Sequence, residues 1–329
     1  MDELKNEAIE ETTDLISENV APEATTETDI LAQAIMHERD MQKVTAKQRV
    51  VKVLVQVGLY LFLGIMAVIV VFPFYWMIIS SLKTLKEFRL KEPTFFPQEF
   101  YWQNYANAFN KASMGRLFLN TAYVGIVSTL LSLVVTILAA FAFARLEFKG
   151  KDALFAFLLA TMMIPGELFT ITNYITINNF GWYDTFTALI VPFLVSVFYI
   201  YLLKQNFQQI PNELYLAAKV DGTSDFKYLC KVMIPLALPT IISITILKMM
   251  GAWNSYMWPK LVTNPNSNLH KLITNGLREM DFSEDGNQGR IDYPRQMAAV
   301  TMVSIPLFLV FVFLRKYIMK GVSRSGIKG

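Results

Sequence analysis

Cysteine occurs once, at Cys230, so no disulfide can form within the chain. Histidine occurs twice, at His37 and His270, too few for the usual zinc ligand set or a histidine-based catalytic triad. Charge is sparse as well: 17% of residues are Asp, Glu, Lys or Arg, against about a quarter in an average soluble domain. The 30 basic side chains exceed the 27 acidic ones by a net +3, too little to suggest a nucleic-acid partner through counterion release. A cleaved signal peptide is not expected, because residues 1–50 are polar and rich in Asp and Glu, and the first apolar run follows Lys52. Neither His-Glu-x-x-His nor Gly-x-Ser-x-Gly occurs. Gly150-Lys151 is followed by Asp152 and preceded five positions earlier by Arg145, so it is not a phosphate-binding P-loop. These absences leave no catalytic or metal-binding residue to nominate.

What the chain has in excess is apolar: 53% hydrophobic residues, 25 of them Phe. No charge occurs between Lys52 and Lys83, and a helix needs only about 20 apolar residues to cross the hydrocarbon core. Charge-free runs also lie between Arg116 and Arg145, Asp184 and Lys204, and Arg295 and Arg315. Two further runs carry an unusual interior residue: Ala153 to Tyr174 contains Pro165, Gly166 and Glu167, and Pro239 to Trp258 contains Lys248. Unpaired backbone cannot face lipid, so six such runs imply six helices rather than a sheet. The expected class is an all-α integral membrane protein with six transmembrane helices. An acidic leader, residues 1–50, is expected to be disordered to about Thr28 and then helical from Asp29 to Arg49, with the membrane domain over 51–329.

Basic residues in the loops set the orientation. The turn from Arg145 to Lys151 holds Arg145, Lys149 and Lys151, whereas the turn from Ile175 to Thr185 holds none, which puts the first on the cytoplasmic side. Both termini and the loop at about 207–238 are then cytoplasmic.

That loop is patterned as helix, turn, helix. Pro211 suits the start of a helix, Glu213 favours its N-terminal dipole end, and Ala217 and Ala218 are strong helix formers. Gly222 tolerates the left-handed conformation that closes a helix. Thr223 or Ser224 can cap the next helix, which runs to Pro235 with Phe226, Leu229 and Met233 on one face.

In this loop the chain resembles the permease subunits of ATP-binding-cassette importers, whose cytoplasmic loop carries Glu-Ala-Ala, three residues, Gly and, further on, Pro. Leu216-Ala217-Ala218, Asp221-Gly222 and Pro235 match it, with Leu216 in place of the motif Glu. Glu213, three residues earlier, is read as lying on a different face. The likeness is to the maltose and glycerol-phosphate type of carbohydrate permease. It is carried by Asn104-Tyr105, Asn120-Thr121, Met163-Ile164-Pro165, Gly181 to Thr185, Trp253-Asn254 with Pro259, and the tail from Gly321 to Gly329. The resemblance implies that Glu213, Leu216, Ala217, Ala218, Asp221 and Gly222 form a coupling helix docking on an ATPase subunit, with Gly326 to Gly329 as a second contact. It further implies a second permease, a different chain, to complete the pore, two ATPase subunits and an extracytoplasmic solute-binding protein. No cofactor is expected on this chain, ATP and Mg being used by the ATPases.

Charges inside spans mark transport pathways by default, which nominates Glu167 and Lys248, and their opposite signs invite pairing. An intramembrane Lys248 also suits an acidic or phosphorylated solute. Trp253 and Asn254, near Tyr256, sit where a sugar could be reached by stacking and hydrogen bonds, as the resemblance implies. The alternative class is a secondary transporter, which predicts repeated halves and no partner. No repeat relates residues 50–185 to 186–329, and such a protein has no use for a coupling loop.

Overall fold

A computed structural model describes residues 25–111, 113–284 and 287–323. Residues 1–24 of the acidic leader and the tail Gly326 to Gly329 therefore lie outside the described residues. By its contacts the chain divides between Pro73 and Phe74 into two units.

The first unit contains most of α1, Thr25–Ser81. The helix begins four residues before Asp29 and does not stop at Arg49. Within the helix no Gly occurs before Gly58 and no Pro before Pro73, so nothing in that stretch interrupts backbone hydrogen bonding. Its portion Val51–Ser81 is long and apolar enough to cross a membrane.

The second unit is also mainly helical. After two short helices, α2 (Leu85–Phe88) and α3 (Gln103–Lys111), comes α4, Met114–Arg145, another membrane-crossing helix. At about 1.5 Å per residue, its 32 residues exceed the roughly 30 Å hydrocarbon core. Helices α5 (Lys151–Thr161) and α6 (Thr170–Asn179) flank a 3-10 turn, Gly166–Phe169, across an 84° bend. Next, α7 (Phe186–Ile190) continues in a 3-10 turn to Phe193 and meets α8 (Val197–Gln208) at 45°. The loop helices α9 (Asn212–Val220) and α10 (Asp225–Tyr228) follow, then a π-helical turn, Leu229–Met233, and α11 (Ile234–Leu236). An 80° bend leads into α12, Leu238–Asn254. Helices α13 (Met257–Val262) and α14 (Ile273–Glu279) and a two-stranded hairpin, β1 (Ser283–Glu284) with β2 (Asn287–Ile291), precede the closing α15, Tyr293–Ser323.

The chain is thus a multi-pass helical membrane protein, with three straight apolar spans and up to six when each bent pair is one span. Three of the six expected transmembrane helices are bent pairs, each for a local reason. Pro165 has no amide hydrogen to continue α5, and Pro192 deprives the turn after α7 of a donor. Between Pro235 and Pro239, Ala237 takes the bend. The short hairpin corrects an all-α expectation.

Helix α4 is the hub of the second unit, packing against α8 and α12, while α15 packs on α12 and α3. Its inward face is unusually polar for an apolar span: Ser128, Thr129, Ser132 and Thr136 are all buried. Such small hydroxyl residues let neighbouring helix backbones approach closely where lipid supplies no hydrophobic drive. At one end of α4, Asn120 donates through Nδ2 to the carbonyls of Asn268, Leu269 and Lys271 at 3.3, 3.0 and 3.0 Å. The Thr121 hydroxyl accepts from the Ile273 amide at 2.8 Å. The Asn120-Thr121 pair thereby fastens the entry to α14 onto α4.

Candidate functional site

Two features stand out from the helical body: an exposed helical hairpin and a cavity holding an intramembrane lysine. The hairpin is closed by local backbone chemistry. Gly222 has φ +67°, the left-handed conformation that glycine adopts without a Cβ penalty. The Gly222 amide donates to the Lys219 carbonyl at 3.1 Å and the Thr223 amide to the Ala218 carbonyl at 2.8 Å. This paired closure satisfies carbonyls that α9 would otherwise leave open. Ser224, rather than Thr223, caps α10, its hydroxyl accepting from the Lys227 amide at 3.4 Å.

Side chains brace the turn. Lys219 Nζ lies 2.7 Å from Asp225 Oδ1, and the Tyr215 hydroxyl donates to the same carboxylate at 2.8 Å. The hydrogen bond to Asp225 holds the Lys219 ammonium above its usual pKa. Tyr215 also packs against the buried ring of Tyr228, with centroids 5.2 Å apart. From the other side, Arg145 at the end of α4 donates to the carbonyls of Phe207, at 2.9 Å, and Ile210. Its guanidinium thereby caps the C-terminal end of α8 and fixes where the loop departs. The core behind the loop joins Ala140 and Phe141 of α4, Leu203 and Phe207 of α8, and Tyr228, Leu229 and Met233.

Ala218 is half-buried against that core, whereas Glu213, Leu216, Ala217, Asp221 and Gly222 are exposed. Glu213 and Leu216 are three apart on α9 and so are neighbours on one side, not on different faces. The surface they share is largely apolar: Leu216 is 55% exposed and Val220 88%. Phe226 departs from the expected stripe with Leu229 and Met233. It is exposed on the first turn of α10, while the π-helical turn that follows shifts the register and buries Tyr228 instead.

The second feature is a cavity of about 400 Å³ lined by α4, α8, α12, the segment joining α7 to α8, and α13. Lys248 lies on its wall and donates to the Phe193 carbonyl where α7 and its 3-10 extension end. Ser128, Ser196, Tyr199 and Ser255 bring hydroxyls to the lining, and Trp258 an aromatic ring. The Trp258 indole donates to the Ala188 carbonyl at 2.9 Å, which fixes the ring in place.

The other nominated pathway residues stand elsewhere. Glu167 is exposed on the 3-10 turn between α5 and α6, and it forms no ion pair with Lys248. Trp253 is buried between Phe118, at a centroid distance of 5.9 Å, and the Val303 carbonyl, to which it donates at 3.2 Å. Asn254 ends α12 and is exposed. Tyr256 accepts the Arg278 guanidinium over its ring at 4.2 Å. The hydroxyls of Ser128 and Ser196 and the Tyr199 ring were not singled out in the sequence, since Ser and Tyr are ordinary in apolar helices. The only available signal was the serine spacing along α4.

A multi-pass helical protein with a mainly apolar cavity that holds one lysine, and with an exposed helical hairpin, has the build of a transporter subunit. The chain belongs to the family of binding-protein-dependent transport system inner membrane components, whose model matches residues 132–324. It is 29% identical over 282 residues to "Inner membrane ABC transporter permease protein YcjP" of Escherichia coli, covering 84% of this chain and 98% of that one. It is 28% identical over 261 residues to "Diacetylchitobiose uptake system permease protein NgcG" of Streptomyces coelicolor, covering 79% and 84%. Its fold resembles a chain in the crystal structure of a bacterial ABC transporter that imports the acidic polysaccharide alginate. That match has a TM-score of 0.71 at 21% identity and covers 78% of this chain and 94% of the other.

Proposed function

We propose that this permease forms half of the translocation pore of an ATP-driven importer for a sugar or oligosaccharide and couples to ATPase subunits through α9. The observation that carries the coupling assignment is the surface of α9. Leu216 and Val220 are exposed on a helix held rigid by the Gly222 turn, the Lys219–Asp225 pair and the Tyr215–Tyr228 stack. Apolar side chains on a charged, protruding hairpin have no place in lipid and none in water, so they suit a protein cleft. Leu216 replaces the acid of the family motif, so the contact there is hydrophobic, with Glu213 beside it for any ionic contact. Lys248 lies on the solute pathway. The solute class is supported by the relative named for diacetylchitobiose uptake.

In this assembly a second, different permease completes the pore, two ATPase subunits hold ATP and Mg, and an extracytoplasmic binding protein delivers the solute. The cytoplasmic side carries α9 and both termini in this reading, which the Arg145, Lys149 and Lys151 turn supports. Extraction of a tagged copy from native membranes in mild detergent, followed by mass spectrometry, tests the assembly. Co-purification of a P-loop ATPase and a second permease is expected. Recovery of the chain alone or as a simple homodimer contradicts the proposal and favours a secondary transporter.

A further inference from the structure

The cavity beside Lys248 is electrostatically lopsided. Lys248 is the only Asp, Glu, Lys or Arg that lines it, and among the described residues no carboxylate pairs with its ammonium. The residue sits inside α12, ten positions after Leu238 and six before Asn254, about 15 and 9 Å from the two ends of the helix. A charge held there is costly unless protein or a ligand compensates it. Glu167, the acid that the sequence offers for this purpose, lies on another turn and does not approach it.

What the protein supplies is partial. One ammonium proton goes to the Phe193 carbonyl, at the negative end of the helical segment Phe186–Phe193. An ammonium has three donors, so two remain for the cavity. Around that free charge, Ser196, Tyr199 and Ser255 line the wall with hydroxyl-bearing side chains, whereas Ser128 is buried and donates to the Gly125 carbonyl at 3.4 Å, and Trp258 is packed into the core against Phe193. Hydroxyl-bearing side chains for a sugar's hydroxyls and one cation without a carboxylate partner together describe a site for an anionic saccharide. The volume of about 400 Å³ lies within the range of small-ligand pockets, about 300–1,000 Å³.

We infer that this cavity is a solute subsite selecting an acidic saccharide, its carboxylate paired with Lys248. The inference rests on the importer reading and deepens it by naming the solute class. The Phe193 bond keeps the ammonium aimed at the cavity and blocks its retreat to an interface. The carboxylate of a passing solute completes the charge balance that the protein leaves open, and its departure restores the unpaired state, so the solute is held without being trapped.

The test uses the complete importer in proteoliposomes loaded with ATP, with radiolabelled digalacturonate and its neutral dimethyl ester as a matched pair. Wild type is expected to import the acid over the ester by about tenfold or more. Lys248→Met is expected to lower that acid-to-ester ratio about tenfold, and Lys248→Arg to keep most of it. Lysine acting only as a cap on Phe193 would affect both solutes alike and leave the ratio unchanged. Import of the ester but not the acid by wild type, or an unchanged ratio in Lys248→Met, overturns the inference. Failure of the importer reading itself shows differently, as absence of ATP-dependent uptake of either solute together with loss of ATPase co-purification.

Discussion

Replacing Gly222 isolates the geometry on which the hairpin depends. A Cβ built at this glycine meets nothing within 4 Å, so a substitution introduces no steric clash with neighbouring residues. The cost is confined to the backbone, which must hold φ +67°. For an ordinary L-residue that conformation costs about 1–2 kcal/mol, equivalent to a factor of about 5–30 in a local equilibrium. The Thr223 amide reports the equilibrium directly, because its bond to the Ala218 carbonyl exists only while the turn is closed. Hydrogen exchange at Thr223 in the purified protein should therefore quicken about 5–30-fold in Gly222→Ala and further in Gly222→Val. The increase should be smaller in Gly222→Asn, since asparagine visits this region more readily. Solute-stimulated ATP hydrolysis by the assembled importer should fall in the same order. Equal exchange in wild type and Gly222→Val, or an Asn variant as fast as the Val variant, would mean that the left-handed conformation at Gly222 does not hold the turn closed.

Further perturbations test other joints of the structure. Arg145→Met removes charge-assisted hydrogen bonds to the Phe207 and Ile210 carbonyls and should cost about 1.5–3 kcal/mol, read as a lower Tm in detergent together with weaker ATPase coupling. Asn120→Ala leaves three carbonyls without their donor and should lower stability by about 1–3 kcal/mol; an unchanged Tm would show that these bonds contribute nothing net. Gly276→Ala places a Cβ 2.2 Å from Leu117 Cδ1, whose side chain is itself buried. Overpacking of that kind costs about 1–3 kcal/mol, and the Leu117→Ala background should relieve most of it in a double-mutant cycle.

The sequence was most informative where chemistry is local. Gly222, Ser224 and the alanine pair specify a helix, its closure and the next cap within a dozen residues, and the structure has each of them. Charge-free runs located the apolar segments equally well, but such a run carries no information on straightness. The bend between Phe193 and Val197 needs Pro192 to remove a donor and Ser196 to restart a helix, accepting from the Tyr199 amide at 3.5 Å. Both residues were visible, yet neither alone forces a break in a membrane helix, where neighbouring groups can satisfy a freed carbonyl. Phe226 was misplaced because a 3.6-residue period was carried through Leu229–Met233, where the backbone is π-helical. Nor could spacing show whether Glu167 meets Lys248, since they lie on elements whose relative placement is decided by packing. It is the carbonyl of Phe193, a group present at every residue and therefore invisible to motif reading, that holds the lysine.

The claim on which the account turns is that α9 docks on an ATPase, and site-directed crosslinking tests it most directly. Cys230, the chain's one cysteine, is exposed, so Cys230→Ser supplies the background for a single probe at Val220→Cys, the most exposed apolar position on α9. With a short photoactivatable thiol reagent on native membranes, an adduct is expected between this chain and a protein that carries a P-loop, diminished when Gly222→Val is added. Adduct formation only with a second copy of this chain, or none with any P-loop protein while the importer is assembled and active, would contradict it.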